Sequence, residues 1–156
     1  MPWIQNVAAA DVPTGFHVAV KPNSMLIQIM DPCASWWPEP RQVFKERHRF
    51  EFLDAEDADG WDDDFKISHE QAAELVRLLR HALDNDMDVI VHCQAGLCRS
   101  GAVCEVGVMM GFQDTERFRS PNLRVKHRMM KALGWTYDPD EQYDHESWRR
   151  YVNQDY

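Results

Sequence analysis

The residues best suited to chemistry in this sequence occupy nine consecutive positions, 92–100, which read His-Cys-Gln-Ala-Gly-Leu-Cys-Arg-Ser. They stand between an apolar run at 87–91 and a second apolar segment that follows Arg99. A loop that leads from a strand into a helix directs several backbone N–H groups at one point, where the helix dipole also favours negative charge. Gly96, in the middle of the loop, permits backbone angles that a residue with a Cβ resists. The pattern therefore predicts an anion-binding loop.

Two side chains in this loop have the chemistry needed to cleave a phosphate ester. A thiol at the start of such a loop is stabilised as the thiolate, which makes Cys93 the predicted nucleophile. The guanidinium of Arg99 can bind two equatorial phosphoryl oxygens and stabilise the charge of an in-line transition state. Ser100 can donate a hydrogen bond to the Cys93 sulfur and help it leave when a phosphocysteine is hydrolysed. For His92 we expect a role in ordering the loop.

The sequence His92-Cys93, five residues and then Arg99-Ser100, with Gly96 inside, resembles the signature loop of the protein tyrosine phosphatase superfamily. The short chain, which has no recognisable phosphotyrosine-recognition loop upstream, is more similar to the compact dual-specificity branch than to the larger enzymes. The run from about Ile27 to Trp135 also resembles small predicted phosphatases of tailed bacteriophages. The resemblance implies phosphate binding by the loop residues Gln94, Ala95, Gly96, Leu97, Cys98 and Arg99.

The same resemblance implies an activity, a class of partner and a cellular location. It predicts hydrolysis of phosphotyrosine, with or without phosphoserine and phosphothreonine, through a phosphocysteine and without a metal or other cofactor. The expected partner is a phosphorylated protein or peptide. The expected location is the cytoplasm, that of a bacterial host if the protein is encoded by a phage.

The mechanism also needs a general acid for the leaving group, which later acts as a base toward water. In the resembled family this is an Asp just after a neighbouring strand, and Phe52-Leu53-Asp54 fits that description. Asp54 is the first candidate and Asp57 the alternative, since an enzyme with a longer loop would use the later position. The segment 51–64 carries eight carboxylates, more than the family pattern requires. The remaining acids are expected to be solvated.

Several other functions fit parts of the pattern. The same fold serves phosphatases of RNA 5′-phosphates or phosphoinositides, although lipid-directed relatives tend to carry Lys where this loop has the neutral Gln94, Ala95 and Leu97. A non-catalytic module that binds phosphoproteins is a further alternative, disfavoured because Cys93 and Arg99 are both present. Arsenate reductases and rhodanese-like sulfurtransferases also use a Cys in an anion loop. The arsenate reductases place that loop near the N-terminus.

Three further groups of side chains have roles that the sequence leaves open. Cys98 and Cys104 either trap an oxidised Cys93 as a disulfide or simply pack as small apolar groups. The tryptophans at 36, 37 and 61 either flank a substrate ring or pack in the core. Six basic residues between 117 and 131 form either a face for an acidic phosphopeptide or a solvated helix.

Length and composition limit the class of protein. With 156 residues and 44% hydrophobic composition, and no repeat or linker, residues 1–156 are predicted to form a single domain. The net charge of −9 argues against a nucleic-acid partner. The sequence shows neither a secretory signal nor a membrane span, so no membrane association is expected. Four cysteines, three of them within twelve residues, suit a reducing cytosol. The oligomeric state stays open.

The spacing of apolar residues predicts the elements that position the loop. Strands are predicted at 16–20, 25–30, 49–52 and 87–91. Helices are predicted near 39–47, from Ser68 to the Asp84-Asn85-Asp86 stop, from Arg99 to Gly111, and over Asn122 to Leu133. Residues 135–156 are left unassigned. Alternating strands and helices imply an α/β, three-layer phosphatase fold with a central, mostly parallel sheet of four to five strands flanked by helices.

Overall fold

A computed structural model describes residues 1–16 and 18–135. Its strands are β1 (Trp3–Ala8), β2 (Ser24–Met30), β3 (Glu46–Glu51), β4 (Asp88–Cys93) and β5 (Gln113–Asp114). Its helices are α1 (His69–Asp84), α2 (Arg99–Met110) and α3 (Leu123–Ala132), with short 3-10 turns at Ala9–Asp11 and Asp63–Phe65. The strands form one sheet in the order β3-β2-β4-β1-β5, and each neighbouring pair is parallel. The predicted α/β class and the predicted, mostly parallel sheet of four to five strands are confirmed.

Two of the three inner strands, β2 and β4, are buried at every position, as expected for parallel strands covered on both faces. In β4, Val89 and Val91 face the larger core beneath the helices, whereas Ile90 faces a smaller cluster on the other side. The helices α1, α2 and α3 cover the first face. Irregular chain that includes Val12 and Phe44 covers the second face, so the third layer is made of loops.

Helix α1 begins where the sequence predicts it. Ser68 accepts a hydrogen bond from the Gln71 backbone at 3.0 Å, and the Gln71 side chain accepts one from the Ser68 backbone at 2.9 Å. This capping box satisfies two N–H groups that the first turn leaves without partners. The buried face of the helix includes Leu75 and Leu79, which pack in the larger core. Helices α2 and α3 also match their predicted ranges to within a residue.

Two predicted elements are wrong. Phe16 and residues 18–20 lie outside any strand, and the side chains of Phe16, Val18 and Val20 pack on the second face of the sheet instead. The first strand is Trp3–Ala8, which sequence reasoning missed because the polar Gln5 and Asn6 interrupt its apolar run. No helix forms over 39–47, where prolines restrict the chain and β3 begins at Glu46, earlier than predicted. The unassigned tail lies, from residue 136 onward, outside the described residues.

The register brings the carboxyl ends of three strands together. Ala8 at the end of β1 lies beside Cys93 at the end of β4, and Gln28 of β2 lies beside His92. In open parallel sheets, ligands bind beyond this edge. Within the part of the chain that the structure describes, no helix is both long and apolar enough to cross a membrane.

Candidate active site

Cys93 is the last residue of β4, and its side chain is buried. Its Sγ lies 3.2 Å from the Oγ of Ser100, which is also buried in the first turn of α2. The hydroxyl can therefore donate to the sulfur, as the sequence predicts. Strand β4 and helix α2 hold these two groups on either side of the loop, so their contact depends on the loop closing between them.

The loop is fixed from outside through its carbonyl groups. The Gly96 oxygen accepts from the Asn6 side chain at 2.7 Å, and the Leu97 oxygen accepts from the Ser120 backbone at 3.0 Å. The oxygens of Gln94 and Cys98 likewise accept from N–H groups outside the loop. None of the backbone N–H groups of residues 94–98 donates to another group of the described chain. Because the carbonyls face outward, the N–H groups are left to face the inside, where an anion is favoured.

Gly96 has the backbone conformation that the sequence analysis anticipates, with φ of +76°. A Cβ at this position would stand 2.5 Å from the Ala8 nitrogen and 2.5 Å from the Val7 carbonyl carbon. These are backbone atoms of a central strand, which cannot move aside. The loop can therefore pack against β1 only because residue 96 is glycine.

Arg99, the first residue of α2, is 4% exposed. Its Nη1 donates to the Asp31 carboxylate at 2.8 Å and to the Phe52 carbonyl at 2.8 Å. The Nε atom is buried and has no hydrogen-bond partner among the described residues. Asp31 follows β2 and Phe52 follows β3, so the ends of two strands orient one arm of the guanidinium.

Asp54 lies beside the loop. Its Oδ1 accepts from the Asn122 side chain at 2.8 Å, and its carboxylate is a neighbour of the Cys98 thiol. Burial, followed by the negative charge of Asp54, raises the pKa of Cys98. The backbone N–H of Asn122 donates to the Cys98 carbonyl at 3.0 Å. The acidic segment and the signature loop therefore meet at Asn122, the N-cap of α3.

His92 is fully buried directly before the nucleophile position. Burial, and to a lesser extent the positive charge of Arg99, lowers its pKa to about 4, against a smaller opposing effect of the Cys93 backbone. The imidazole is therefore neutral near pH 7. A buried neutral ring is unsuited to proton transfer near pH 7, and the role of His92 in ordering the loop stays a prediction.

Comparisons with known proteins agree with this geometry. A family model described as "Polymorphic toxin system, DSP-PTPase phosphatase" matches residues 61–110, which span α1, β4, the signature loop and α2. The human tyrosine phosphatase-like serine/threonine/tyrosine-interacting protein has a similar structure, with a TM-score of 0.51 at 17% identity over 72% of this chain and 78% of that one. Human DUSP28 is similar with a TM-score of 0.51 at 12% identity over 100% of this chain and 97% of that one. A search of curated proteins found no match.

Residues 61–110 thus match a family of dual-specificity-type phosphatases, and the fold of the chain is similar to that of the two human proteins. The matched segment contains the complete signature loop, from His92 to Ser100.

The two candidates for the general acid have different surroundings. Asp57 accepts from the Arg124 guanidinium at 2.7 Å, and Arg124 is only 5% exposed. Asp57 thus neutralises a buried cation of α3, whereas Asp54 lies against the signature loop. This geometry favours Asp54 as the acid, which stays a prediction.

Three residues that contact this site were missed by sequence reasoning, which took Asp31 only as the end of a strand and Asn122 only as the start of a helix. Asp31 binds Arg99, Asn6 binds the loop carbonyl of Gly96, and Asn122 binds Asp54. A usable signal existed for Asp31, because polar residues that follow parallel strands gather at one edge of the sheet. Asn6 could have been recognised as a polar residue inside a buried strand.

Cys104 and two of the tryptophans have different surroundings, which bear on the roles left open by the sequence. Cys104 donates its thiol to the Ile4 carbonyl at 3.6 Å, and burial raises its pKa to about 11, which suits packing better than redox chemistry. Trp36 lines a cavity of about 250 Å³ together with Asp31 and Gln94. Trp37 instead stacks under Arg49, 4.8 Å from the guanidinium carbon to the ring centroid.

The basic residues of 117–131 do not form one free cationic face. Arg119 is paired with Asp114 at 3.1 Å, and Lys126 with Glu105 at 3.2 Å. Arg124 is buried, as described above. Across residues 1–16 and 18–135, no group of three or more His, Cys, Asp or Glu side chains is arranged to hold a metal ion.

Proposed function

We propose that this protein is a cysteine-dependent phosphatase that hydrolyses phosphotyrosine in proteins or peptides through a phosphocysteine intermediate. The observation that carries the proposal is that only part of the Arg99 guanidinium is hydrogen-bonded within the described chain. Its Nη1 is held by Asp31 and Phe52, while its buried Nε has no partner in the described chain, beside a loop whose N–H groups also lack acceptors. A phosphoryl group supplies the acceptors for both.

The proposed reaction has two steps. The Cys93 thiolate attacks phosphorus, the ester P–O bond breaks, and Asp54 gives its proton to the departing oxygen. Water then attacks the phosphocysteine, Asp54 takes a proton from this water, and the P–S bond breaks. The Ser100 hydroxyl, 3.2 Å from the sulfur, donates to the thiolate as it leaves. Inorganic phosphate is released, and the starting protonation states are restored.

The cavity beside the loop favours an aromatic substrate. It has a volume of about 250 Å³, and Trp36, which is 50% exposed, lies on its wall together with Gln94 of the loop. A phenyl ring attached to a phosphate in the loop can pack on the indole, a contact that a serine phosphate cannot make. Phosphotyrosine is therefore the proposed class of substrate.

The direct test is the release of phosphate from a phosphotyrosine peptide by purified protein in the presence of EDTA. We expect turnover by the wild type and a loss of about a thousandfold or more in Cys93→Ser, which keeps the size of the side chain and removes the thiolate. A wild type without turnover, or a Cys93→Ser variant that is equally active, would refute the proposal.

A second measurement addresses the intermediate and the substrate. Rapid acid quenching during turnover, followed by mass spectrometry of the peptide that contains Cys93, is expected to show one phosphoryl group on the sulfur. A parallel panel of phosphotyrosine, phosphoserine and phosphothreonine peptides, a 5′-phosphorylated RNA and a phosphoinositide compares kcat/KM values. A higher kcat/KM for the RNA or the lipid would replace the proposed substrate class.

A further inference from the structure

Asn122 connects three parts of the molecule although it is far in sequence from two of them. Its side-chain oxygen accepts from the Val125 backbone at 3.0 Å and so caps helix α3. Its side-chain nitrogen donates to Asp54 Oδ1 at 2.8 Å and to the Ala55 carbonyl at 3.2 Å. Its own backbone N–H donates to the Cys98 carbonyl at 3.0 Å. Asn122 is 2% exposed, so its contacts with Ala55 and Val125 are buried, whereas the one with the exposed Asp54 is partly buried.

The contact with Asp54 is directional. Asp54 belongs to an exposed segment, and the described contacts on its side chain come from Asn122 and the Cys98 thiol. An amide N–H donated to Oδ1 restricts rotation of the carboxyl group. A proton donor that is held in place by a buried neighbour loses less orientation freedom in the transition state than a free one.

We propose that Asn122 is a positioning residue for the general acid, which aligns the Asp54 carboxyl group with the oxygen that leaves from the substrate. This inference rests on the proposed function, because it requires Asp54 to protonate a leaving group. Asn122 does not touch the substrate. It acts through Asp54, and its backbone bond to Cys98 keeps the acid in register with the signature loop.

The test uses Asn122→Ser in the full chain. Serine is as good an N-cap as asparagine, so helix α3 keeps its cap, but the shorter side chain cannot donate to Asp54. The two substrates are phenyl phosphate, whose leaving group needs a proton, and p-nitrophenyl phosphate, whose leaving group departs without one. We compare kcat/KM, which reports the step in which the leaving group departs, and expect it to fall about tenfold to a hundredfold with phenyl phosphate and less with p-nitrophenyl phosphate.

Glu56→Gln is the matched control. The Glu56 carboxylate binds the Leu123 and Arg124 backbone N–H groups at 2.9 and 3.1 Å, so it also links the acidic segment to α3, without touching Asp54. Its substitution is expected to leave the ratio of the two kcat/KM values unchanged. In an Asp54→Asn background, Asn122→Ser is expected to have no further effect on that ratio.

Two results would overturn the inference while leaving the proposed function intact. One is an equal loss of kcat/KM for both substrates in Asn122→Ser, which indicates general damage to the site. The other is an additional loss in the Asp54→Asn background, which indicates an action that does not pass through Asp54. The proposed function fails in a different way, namely by the absence of Cys93-dependent turnover in the wild type.

Discussion

The Nη1 atom of Arg99 lies 2.8 Å from Oδ1 of Asp31, although 68 residues separate them in the chain. The Asp31 side chain is 62% exposed while that of Arg99 is 5% exposed, so an accessible carboxylate orients a buried cation. We expect Asp31→Asn to lower kcat/KM for aryl phosphates about tenfold, because the guanidinium is less well aligned with the transition state. Thermal stability is expected to change little, since an exposed partner contributes little.

Glu39→Gln is the control for this variant, because it disturbs another ion pair of an exposed carboxylate, with Arg47 at 2.9 Å, away from the signature loop. Its kcat/KM is expected to equal that of the wild type. An unchanged kcat/KM in Asp31→Asn would remove the proposed role of the Asp31–Arg99 contact.

Asp54 and Asp57 are distinguished by the dependence of kcat/KM on pH. Asp54→Asn is expected to lose the basic limb of the profile and to lower the maximum about a hundredfold, as loss of a general acid does. Asp57→Asn is expected to keep the limb and instead to destabilise the fold by about 1–3 kcal/mol, since the buried Arg124 loses its nearest carboxylate and keeps only the Ile67 carbonyl and the more distant Asp63. Loss of the basic limb in Asp57→Asn alone would exchange the two roles.

Gly96→Ala is expected to abolish activity and to destabilise the protein by about 1–3 kcal/mol. The added Cβ meets backbone atoms of Val7 and Ala8 at 2.5 Å, and φ of +76° is strained for alanine. Gly60→Ala is the control, because open space surrounds that position and its φ is not positive. Urea unfolding and phosphatase assays of both variants are the measurement. Full activity in Gly96→Ala would show that the loop does not need this conformation.

The stability of the protein is expected to fall as the solution becomes acidic, in part through His92. Its pKa is about 4 in the folded chain compared with an ordinary value of 6.5. Between these values the unfolded chain binds a proton that the folded chain does not, so the free energy of unfolding decreases as pH falls, by up to about 3 kcal/mol. Above the unfolded pKa, His92 is neutral in both the folded and the unfolded chain, so the free energy of unfolding no longer changes with pH through this group.

Urea unfolding at about pH 7.5 and about pH 4.5 measures this effect in the wild type and in His92→Gln. The wild type is expected to lose more stability between the two pH values than His92→Gln, which has no imidazole to protonate. Equal losses in both proteins would contradict the assignment to His92.

Trp36→Ala is expected to raise KM for a phosphotyrosine peptide about tenfold, because the ring loses the indole wall of the cavity beside Gln94. The KM for a phosphoserine peptide is expected to stay within about twofold, since its short side chain does not reach the wall. The control is Trp37→Ala, because Trp37 stacks with Arg49 rather than lining this cavity. Equal changes for both peptides would remove Trp36 as a determinant of specificity.

The sequence by itself determined the features that depend on neighbouring residues. The order of types from His92 to Ser100 identified the loop, because a thiol, a glycine and a guanidinium are each needed at one point between a strand and a helix. Ser68 and Gln71 predicted the start of α1, since a capping box is a contact over three residues. The apolar run of β4 indicated a central parallel strand for the same local reason.

Only the tertiary structure decided which distant polar groups complete the site. Asn6 reaches Gly96 across 90 positions, and Asn122 reaches Asp54 across 68. It also decided that Asp57 neutralises Arg124, and that the apolar residues near 16–20 cover the sheet rather than extend it. Hydrophobic periodicity reports which side chains are buried, but the partner of each hydrogen-bonding group depends on strand order and packing, which no local pattern encodes.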